Sequence, residues 1–459
     1  MPVSTPAPNG SERVVGIDEL FFSTTDRRGV IRAANAVFER ISRYSVEELV
    51  GAPHNIVRHP ATPAGLFALV WERLLAGMPV AAYIDNLAKD GSHYWTFATI
   101  APLDDGFVSV RCATLRHDLR DGVESLYRSV VPVEATARAA GAGAAEAARA
   151  GRDALVTALA ERGFASYTDF MHHVLSEEVG ARTAALGGRT APPPSPAVDG
   201  ELAHTITELT YATRVVGDGI GVILERLDAY LALATRLEAA ATDAETTLAS
   251  LSTAAQTASE ASEQVAADAP VLSRAGSAAV AFALDAQRHL LPLQHRLVSV
   301  RGAVLELRYR IALGSLYNDM VSAFVDEVAR GEAPAQSLGA VAPLVAHLAE
   351  SLAQTGAHRD RTDAELHAVA GAIGETDGAM TEFQRMLTTW RQLVVRYRVS
   401  AELSPYLAPV DAQVSAGKRQ LVALRDLADE CRQLAAPVDV TAVRAAVGRL
   451  AELGASVRV

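Results

Sequence analysis

The chain has little cysteine, no excess of positive charge and no long apolar run, and each shortage closes off a class of protein. Its two cysteines, Cys112 and Cys431, are spread over 459 residues in different segments. Thiols so far apart make no disulfide framework; they fit a reducing cytoplasm, packed as small hydrophobes. The net charge of -12 argues against a general nucleic-acid binder, which needs a basic face to displace counterions from phosphates. It equally disfavours adhesion to an anionic membrane. The longest apolar stretches, such as residues 278–284, fall short of the roughly 18–20 residues that span a bilayer. Residues 1–9 lack a basic start followed by an apolar core, so no signal peptide is readable. No nucleophile-base pair, phosphate loop or metal box is visible. The expectation is a soluble, cytoplasmic, non-enzymatic protein of two or three domains, without membrane insertion or nucleic-acid binding.

What is present divides in two. Residues 1–12 are expected to be disordered, and 13–118 have a mixed α/β texture. Residues 21–26 and 30–35, separated by Arg27-Arg28-Gly29, read as strand, tight turn, strand. Ser45-Val46-Glu47-Glu48 is a capping box. Residues 62–76 carry Leu66, Leu69, Val70 and Leu74 at helix spacing, and Gly77 stops them. Strands follow at 80–87 and 93–100, joined by Lys89-Asp90-Gly91, with a last strand at 107–111. This order implies an antiparallel sheet with helices on one face.

After Asp118 the period is helical throughout. Residues 119–189 are expected to form a helical connector, 190–200 a proline-rich extended linker, and 201–459 a helical bundle or coiled coil. Three seams alternate steps of three and four, as buried helix seams do. They run from Ile206 to Leu237, from Leu290 to Val328 and from Leu366 to Tyr397. The pattern is equally compatible with a bundle within one chain and with a dimeric coiled coil. Pro270, Pro292, 331–334 and 405–409 are expected at turns or kinks, and Asp360-Arg361-Thr362 at a new helix cap.

The most informative cluster is Pro53-His54-Asn55-Ile56-Val57-Arg58-His59-Pro60, taken with Asn86, Lys89-Asp90-Gly91 and Tyr94-Trp95. It sets polar groups between a helix-like segment and two strands, where α/β modules build ligand pockets. Together with Phe22-Ser23-Thr24-Thr25-Asp26, Gly29-Val30-Ile31 and Ala34-Asn35, these residues resemble the PAS domain of bacterial aerotaxis receptors. The resemblance covers about residues 15–117, and the H-N-x-V-R-H-P run makes it specific. It implies a five-stranded antiparallel sheet with flanking helices and a bound flavin, FAD, whose redox state reports oxygen or electron transport. By position it implies cofactor or signalling roles for Asn35, Arg58, His59 and Asn86, with Trp71 and Tyr94 as aromatics near the pocket. Arg58 offers planar donors and His59 a titratable one. Ala61 and Val80 depart from the family, which has Asp and an aromatic there.

Further along, residues 338–351 are similar to the descending helix of a chemoreceptor signalling hairpin, and Ala329-Arg330-Gly331-Glu332 sits where such a hairpin has A-R-x-G-E. The kinase-docking tip sequence is replaced by residues 308–319. The resulting reading is a soluble sensory transducer, expected as a homodimer with a chemotaxis-type signalling partner. Haem or no cofactor are the alternatives to FAD, the latter making the PAS domain a scaffold for dimerisation or docking. Trp95 reads as sheet packing, Ala258-Ser259-Glu260-Ala261-Ser262-Glu263-Gln264 as a solvated helix face, and His172-His173 as no metal site.

Overall fold

The computed structural model describes residues 6–186, 200–264, 270–331, 338, 341–401, 403–434 and 441–456. The chain forms two compact units. One comprises Met1–Ile223, Arg308–Thr355 and Asp439–Val459; the other comprises Leu224–Leu307 and Gly356–Val438.

The first unit is built on a five-stranded antiparallel sheet. Strands β1 (Phe21–Asp26) and β2 (Ile31–Ala34) form a hairpin. Its turn is held by the Asp26 carboxylate, which accepts from the Arg28 and Val30 amides at 2.8 and 2.9 Å. Gly29 supplies the positive φ, +78°, that this turn requires. Three short helices follow, α1 (Ala36–Ser42), α2 (Val46–Leu49) and α3 (Ala64–Leu75), with a 3-10 turn at His54–Val57 before α3. The capping box forms: the Glu48 carboxylate accepts from the Ser45 amide at 3.0 Å. Strands β3 (Val80–Leu87), β4 (His93–Leu103) and β5 (Gly106–Cys112) complete the sheet in the order β2-β1-β5-β4-β3.

The sheet is covered on both faces, so β3 and β5 are buried along their whole length. Residues of one parity, including Ser23, Ile84, Asn86, Ile100 and Ser109, face a cavity that Phe67, Val70, Trp71 and Leu74 of α3 help to line. The other parity meets α4 (His117–Ala139) and α6 (Tyr167–Leu186), while α5 (Ala144–Ala160) packs against α3 and α4. These three helices pack on the α/β core instead of leading away from it as a connector. Trp95 stacks on Tyr127 of α4 at 6.3 Å. The hydroxyls of Tyr127 and Tyr167 donate to the carbonyls of Tyr83 and Ala81. Helix α5 lies so close to α3 that a methyl at Gly65 would overlap the backbone of Gly151 and Arg152.

The N-terminal segment is tied down earlier than expected. The Asn9 amide donates to the Gly91 carbonyl at 2.8 Å, and residues 11–13 exchange two bonds with His93. Of the stretch expected to be disordered, residues 1–5 lie outside the described residues.

Helices α7 (Gly200–Gln264), α8 (Pro270–Ala329), α9 (Val341–Arg396), α10 (Ser404–Leu434) and α11 (Thr441–Ser456) complete the chain. Within the first unit the lower parts of α8 and α9 run antiparallel. Ser351 donates to the Arg310 carbonyl at 2.7 Å, and Tyr317 meets His347 at 5.8 Å. Phe324 of α8 packs edge-on against Phe22 of β1 at 5.0 Å. Asn318 donates from its amide to the Thr213 carbonyl at 2.9 Å. In the second unit the buried Trp390 indole donates to Ser262 at 2.7 Å, and the Tyr230 hydroxyl donates to Asp363 at 3.0 Å.

All three expected seams are buried within one chain wherever their side chains are described. Leu290 and Leu293 are not among those side chains, and Tyr397, 39 % exposed, falls beyond the end of α9. Other expectations need correction. Thr362 caps no new helix: it is buried inside α9, with its hydroxyl on the His358 carbonyl. Pro292 lies inside α8, so it marks no turn there. Residues 308–319 are the interior of α8, not a hairpin tip. The stretch from Ala258 has a solvated face only in part: Glu260 and Glu263 are exposed, whereas Ala258, Ala261 and Ser262 are buried. The proline-rich linker at 190–200 lies outside the described residues up to 199, and α7 begins at Gly200. No helix among the described residues is long and apolar enough to cross a membrane.

Candidate ligand pocket

Between α3 and the inner face of the sheet lies a cavity of about 330 Å³. Its walls are apolar and aromatic: Phe67, Val70, Trp71 and Leu74 from α3, Ile84 from β3, Ile100 from β4 and Phe107 from β5. Its polar groups are Ser23, Thr25, Arg28, His54, Asn55, Arg58, Asn86, Ser109 and Arg111. Three arginines and no carboxylate line it. A mostly apolar cleft with a few convergent polar groups is the usual form of a small-molecule site.

Each group is placed by its local structure. Arg58 follows the 3-10 turn; one guanidinium nitrogen donates to the Thr62 carbonyl at 2.9 Å, and the group lies 4.6 Å from the Phe67 ring centre. Asn86 is buried, its amide donating to Ile84, Tyr94 and Thr96. Ser23 and Ser109 are opposite one another across β1 and β5. Ser23, Arg111 and His54 converge: the His54 Nε2 lies 3.2 Å from the serine hydroxyl and 2.9 Å from an Arg111 nitrogen. Loss of solvent, with the Arg111 charge beside it, holds the His54 imidazole well below its usual range. The ring is therefore neutral at pH 7, with Nε2 free to accept from Arg111. Burial lowers the Arg111 guanidinium to about 10; it remains charged at neutral pH.

Of the six site residues expected from sequence, Arg58, Trp71 and Asn86 line this cavity. Asn35, His59 and Tyr94 do not. Asn35 is the N-cap of α1: its side-chain oxygen accepts from the Phe38 and Phe22 amides, and its nitrogen donates to the Leu20 carbonyl. His59 lies 3.1 Å from the buried Asp85 carboxylate, which also holds His93 at 3.0 Å. Burial, opposed by Asp85, moves the His59 pKa down. Tyr94 stacks on Phe21 at 5.9 Å in a separate cluster with Phe38, Tyr44 and Leu49. Ala61 is exposed and Val80 buried, and neither lines the cavity.

The sequence reading missed Ser109 and Arg111 as pocket residues and named His54 only as part of the polar run, without a cofactor role. The signal was strand parity: in β5, Phe107, Ser109 and Arg111 share one face, and two of them are polar on a strand buried along its length.

The donor set suits a planar aromatic ligand such as a flavin. Aromatic walls would hold the ring, while Arg111 and Ser109 keep unpartnered donors in the cavity wall.

The family comparison agrees on the fold. Residues 31–112 match the family model described as PAS fold. Over 118 residues, 25% of this chain, the sequence is 36% identical to the aerotaxis receptor of Escherichia coli (strain K12), of which the match covers 23%. A PAS domain from Colwellia psychrerythraea is 22% identical over 20% of this chain and 85% of its own, with a TM-score of 0.18. A light-oxygen-voltage domain studied with a flavin analogue is 21% identical over 24% of this chain and 89% of its own, with a TM-score of 0.22. The chain thus spans less than a quarter of the curated receptor's length. The N-terminal five-stranded sheet and its flanking helices are a PAS domain, followed by an all-helical region.

Proposed function

We propose that this chain is a sensory signal-transduction protein of the cytoplasm whose PAS pocket holds a flavin, FAD in the first instance, and reports redox, oxygen or energy state. The observation that carries the reading is the partly open cavity, with Trp71, Phe67 and Phe107 in its walls and three arginines but no carboxylate in its lining. Similarity to an aerotaxis receptor over the same region supports it. The two departures from the receptor pattern, Ala61 and Val80, lie outside the lining and remove no group from it.

A bound flavin supplies a reversible redox centre. The chain's own residues supply the rest. Arg58 and Asn86 position the ligand from the loop and from β3. Helix α3 forms one wall, and its first turn is held from α4 by the Glu134 carboxylate, which accepts from the Ala64 and Gly65 amides at 3.0 and 2.7 Å. A shift of α3 on ligand change therefore moves α4, and Phe22 on the opposite face abuts Phe324 of α8. A switch needs such packed elements with two arrangements whose balance the ligand biases. The output is a protein contact: a homodimer and a chemotaxis-type signalling partner fit the helical region. The role is binding and relay, not catalysis.

The absorption spectrum of freshly purified full-length protein tests this. Bands near ~375 and ~450 nm that bleach on reduction are expected of a flavin. A Soret band would redirect the reading to haem. A protein that stays colourless after incubation with FAD would leave the PAS domain as a scaffold for dimerisation or docking.

A further inference from the structure

Buried arginines are treated in two ways in this PAS unit. Arg182 of α6, 5 % exposed, is paired with the Asp319 carboxylate at 3.4 Å. Arg111, equally buried at 5 %, has no carboxylate partner among the described residues. Its polar contact is with neutral His54, and its guanidinium lies 5.7 Å from the Phe38 ring centre. Its Nε has no hydrogen-bond partner, nor has the hydroxyl of Ser109, 6 % exposed and two residues away on the same strand face. Both line the cavity.

A buried cation without a counter-ion, beside an unpaired donor, weakens a fold unless something else completes it. The other arginines of the cavity differ. Arg58 spends a donor on the Thr62 carbonyl, and Arg28 is exposed at the rim. The chain as a whole is acidic, at -12, so a lining with three arginines and no carboxylate is no reflection of composition.

We infer that Arg111, assisted by Ser109, receives the acceptor edge of the ligand and is the residue that sets its chemical class. That class is a planar molecule carrying two neighbouring acceptor atoms of full or partial negative charge at its buried end. A guanidinium presents two parallel donors to such an edge. The N1 and C2 carbonyl edge of a flavin ring has this form, and so does the carboxylate of an aromatic acid. The inference deepens the ligand-site reading of the pocket and survives if flavin proves to be the wrong ligand.

The test uses full-length wild type, Arg111→Met, Arg111→Lys, Ser109→Ala and Arg28→Met. Each is titrated with FAD and with riboflavin, followed by quenching of flavin fluorescence, and with benzoate, followed by thermal midpoint. Arg111→Met is expected to weaken FAD and riboflavin alike by about tenfold or more, the scale of a charge-assisted hydrogen bond. Arg111→Lys restores part of the loss, having the charge without the planar fork. Arg28→Met weakens FAD alone, since riboflavin has no phosphate. Unchanged flavin affinity in an Arg111→Met protein of wild-type circular dichroism overturns the inference and leaves the flavin reading standing. If wild type takes no flavin, that reading fails and benzoate decides. A rise in wild-type midpoint that Arg111→Met abolishes supports the inference, and no rise overturns it. Should Arg111→Met fail to fold, Ser109→Ala and Arg111→Lys carry the same comparison.

Discussion

The two faces of the PAS sheet carry similar residue types and treat them in opposite ways. On the outer face the Glu178 carboxylate of α6 accepts from the Tyr83 hydroxyl at 2.7 Å, the Leu115 amide at 2.7 Å and the Arg116 amide at 3.2 Å. The hydroxyls of Tyr127 and Tyr167 each end on a carbonyl. On the inner face Ser109 and the Arg111 Nε remain without partners at the cavity, as do the hydroxyls of Tyr44 and Tyr94 in the apolar cluster beside it. Most buried polar groups that serve packing are satisfied within a fold. Those left open around a cavity await a partner from outside the chain. The difference teaches that residue type alone does not mark the site; unfilled hydrogen-bonding capacity on a residue that also lines a cavity does.

Breaking the satisfied face gives the largest expected effect. Glu178→Ala leaves three donors unpaired in a buried site, and a loss of about 3–5 kcal/mol is expected, as when one partner of a buried charged network is removed. Denaturant unfolding of the full-length protein measures it. Glu178→Gln keeps an acceptor at the same place and costs less. A loss below about 1 kcal/mol, the worth of one ordinary hydrogen bond, would erase the distinction between the faces.

Next in size is the link between α4 and the pocket. Glu134→Ala removes the group that caps α3 and is expected to cost about 1 kcal/mol, the usual worth of a cap. Because α3 supplies Phe67, Val70, Trp71 and Leu74 to the cavity, flavin affinity should fall as well, although Glu134 lies outside the lining. A variant that loses stability while its flavin dissociation constant stays put would show that α4 holds the helix without informing the site.

Much of this arrangement could be read in the chain and some could not. The strands, the capping box and the three seams follow from local period and turn chemistry, which act over a few residues. Arg58, Trp71 and Asn86 were legible because motif and fold agree on them. Asn35 lies outside the cavity wall because an asparagine before a helix can serve as its cap, and here it does. His59 and Tyr94 found partners, Asp85 and Phe21, that no local pattern assigns to them. Glu134 and Glu178 are separated from their partners by between 62 and 95 residues. Helical period identifies the helices that carry them, but not the surface on which those helices lie. Arg111 was missed for a different reason. Strand parity places it inward, but only the finished fold shows that nothing opposite is acidic.

The smallest expected effect sharpens the comparison at the inner face, through pH. Desolvation and the Arg111 charge hold His54 well below the imidazole range in the folded protein, while in the unfolded chain it titrates near ~6.5. The folded state therefore binds fewer protons, and stability rises with pH across the window between the two values. The contribution is complete above about 6.5 and is lost as pH falls through that window. His54→Gln keeps a hydrogen-bond acceptor toward Arg111 and does not titrate. Between pH 7 and 5 the wild-type unfolding free energy should fall faster than that of His54→Gln, by at most about 1.4 kcal/mol per pH unit for one proton, as denaturant unfolding at each pH measures. His59 is shifted in the same direction and persists in both proteins, so the difference isolates His54. Parallel slopes would mean that the inner end is wetter and less charged than its geometry implies. An acceptor ligand on Arg111 offsets the charge that opposes protonation of His54. Saturating ligand should therefore raise the His54 pKa and narrow the gap between the two slopes.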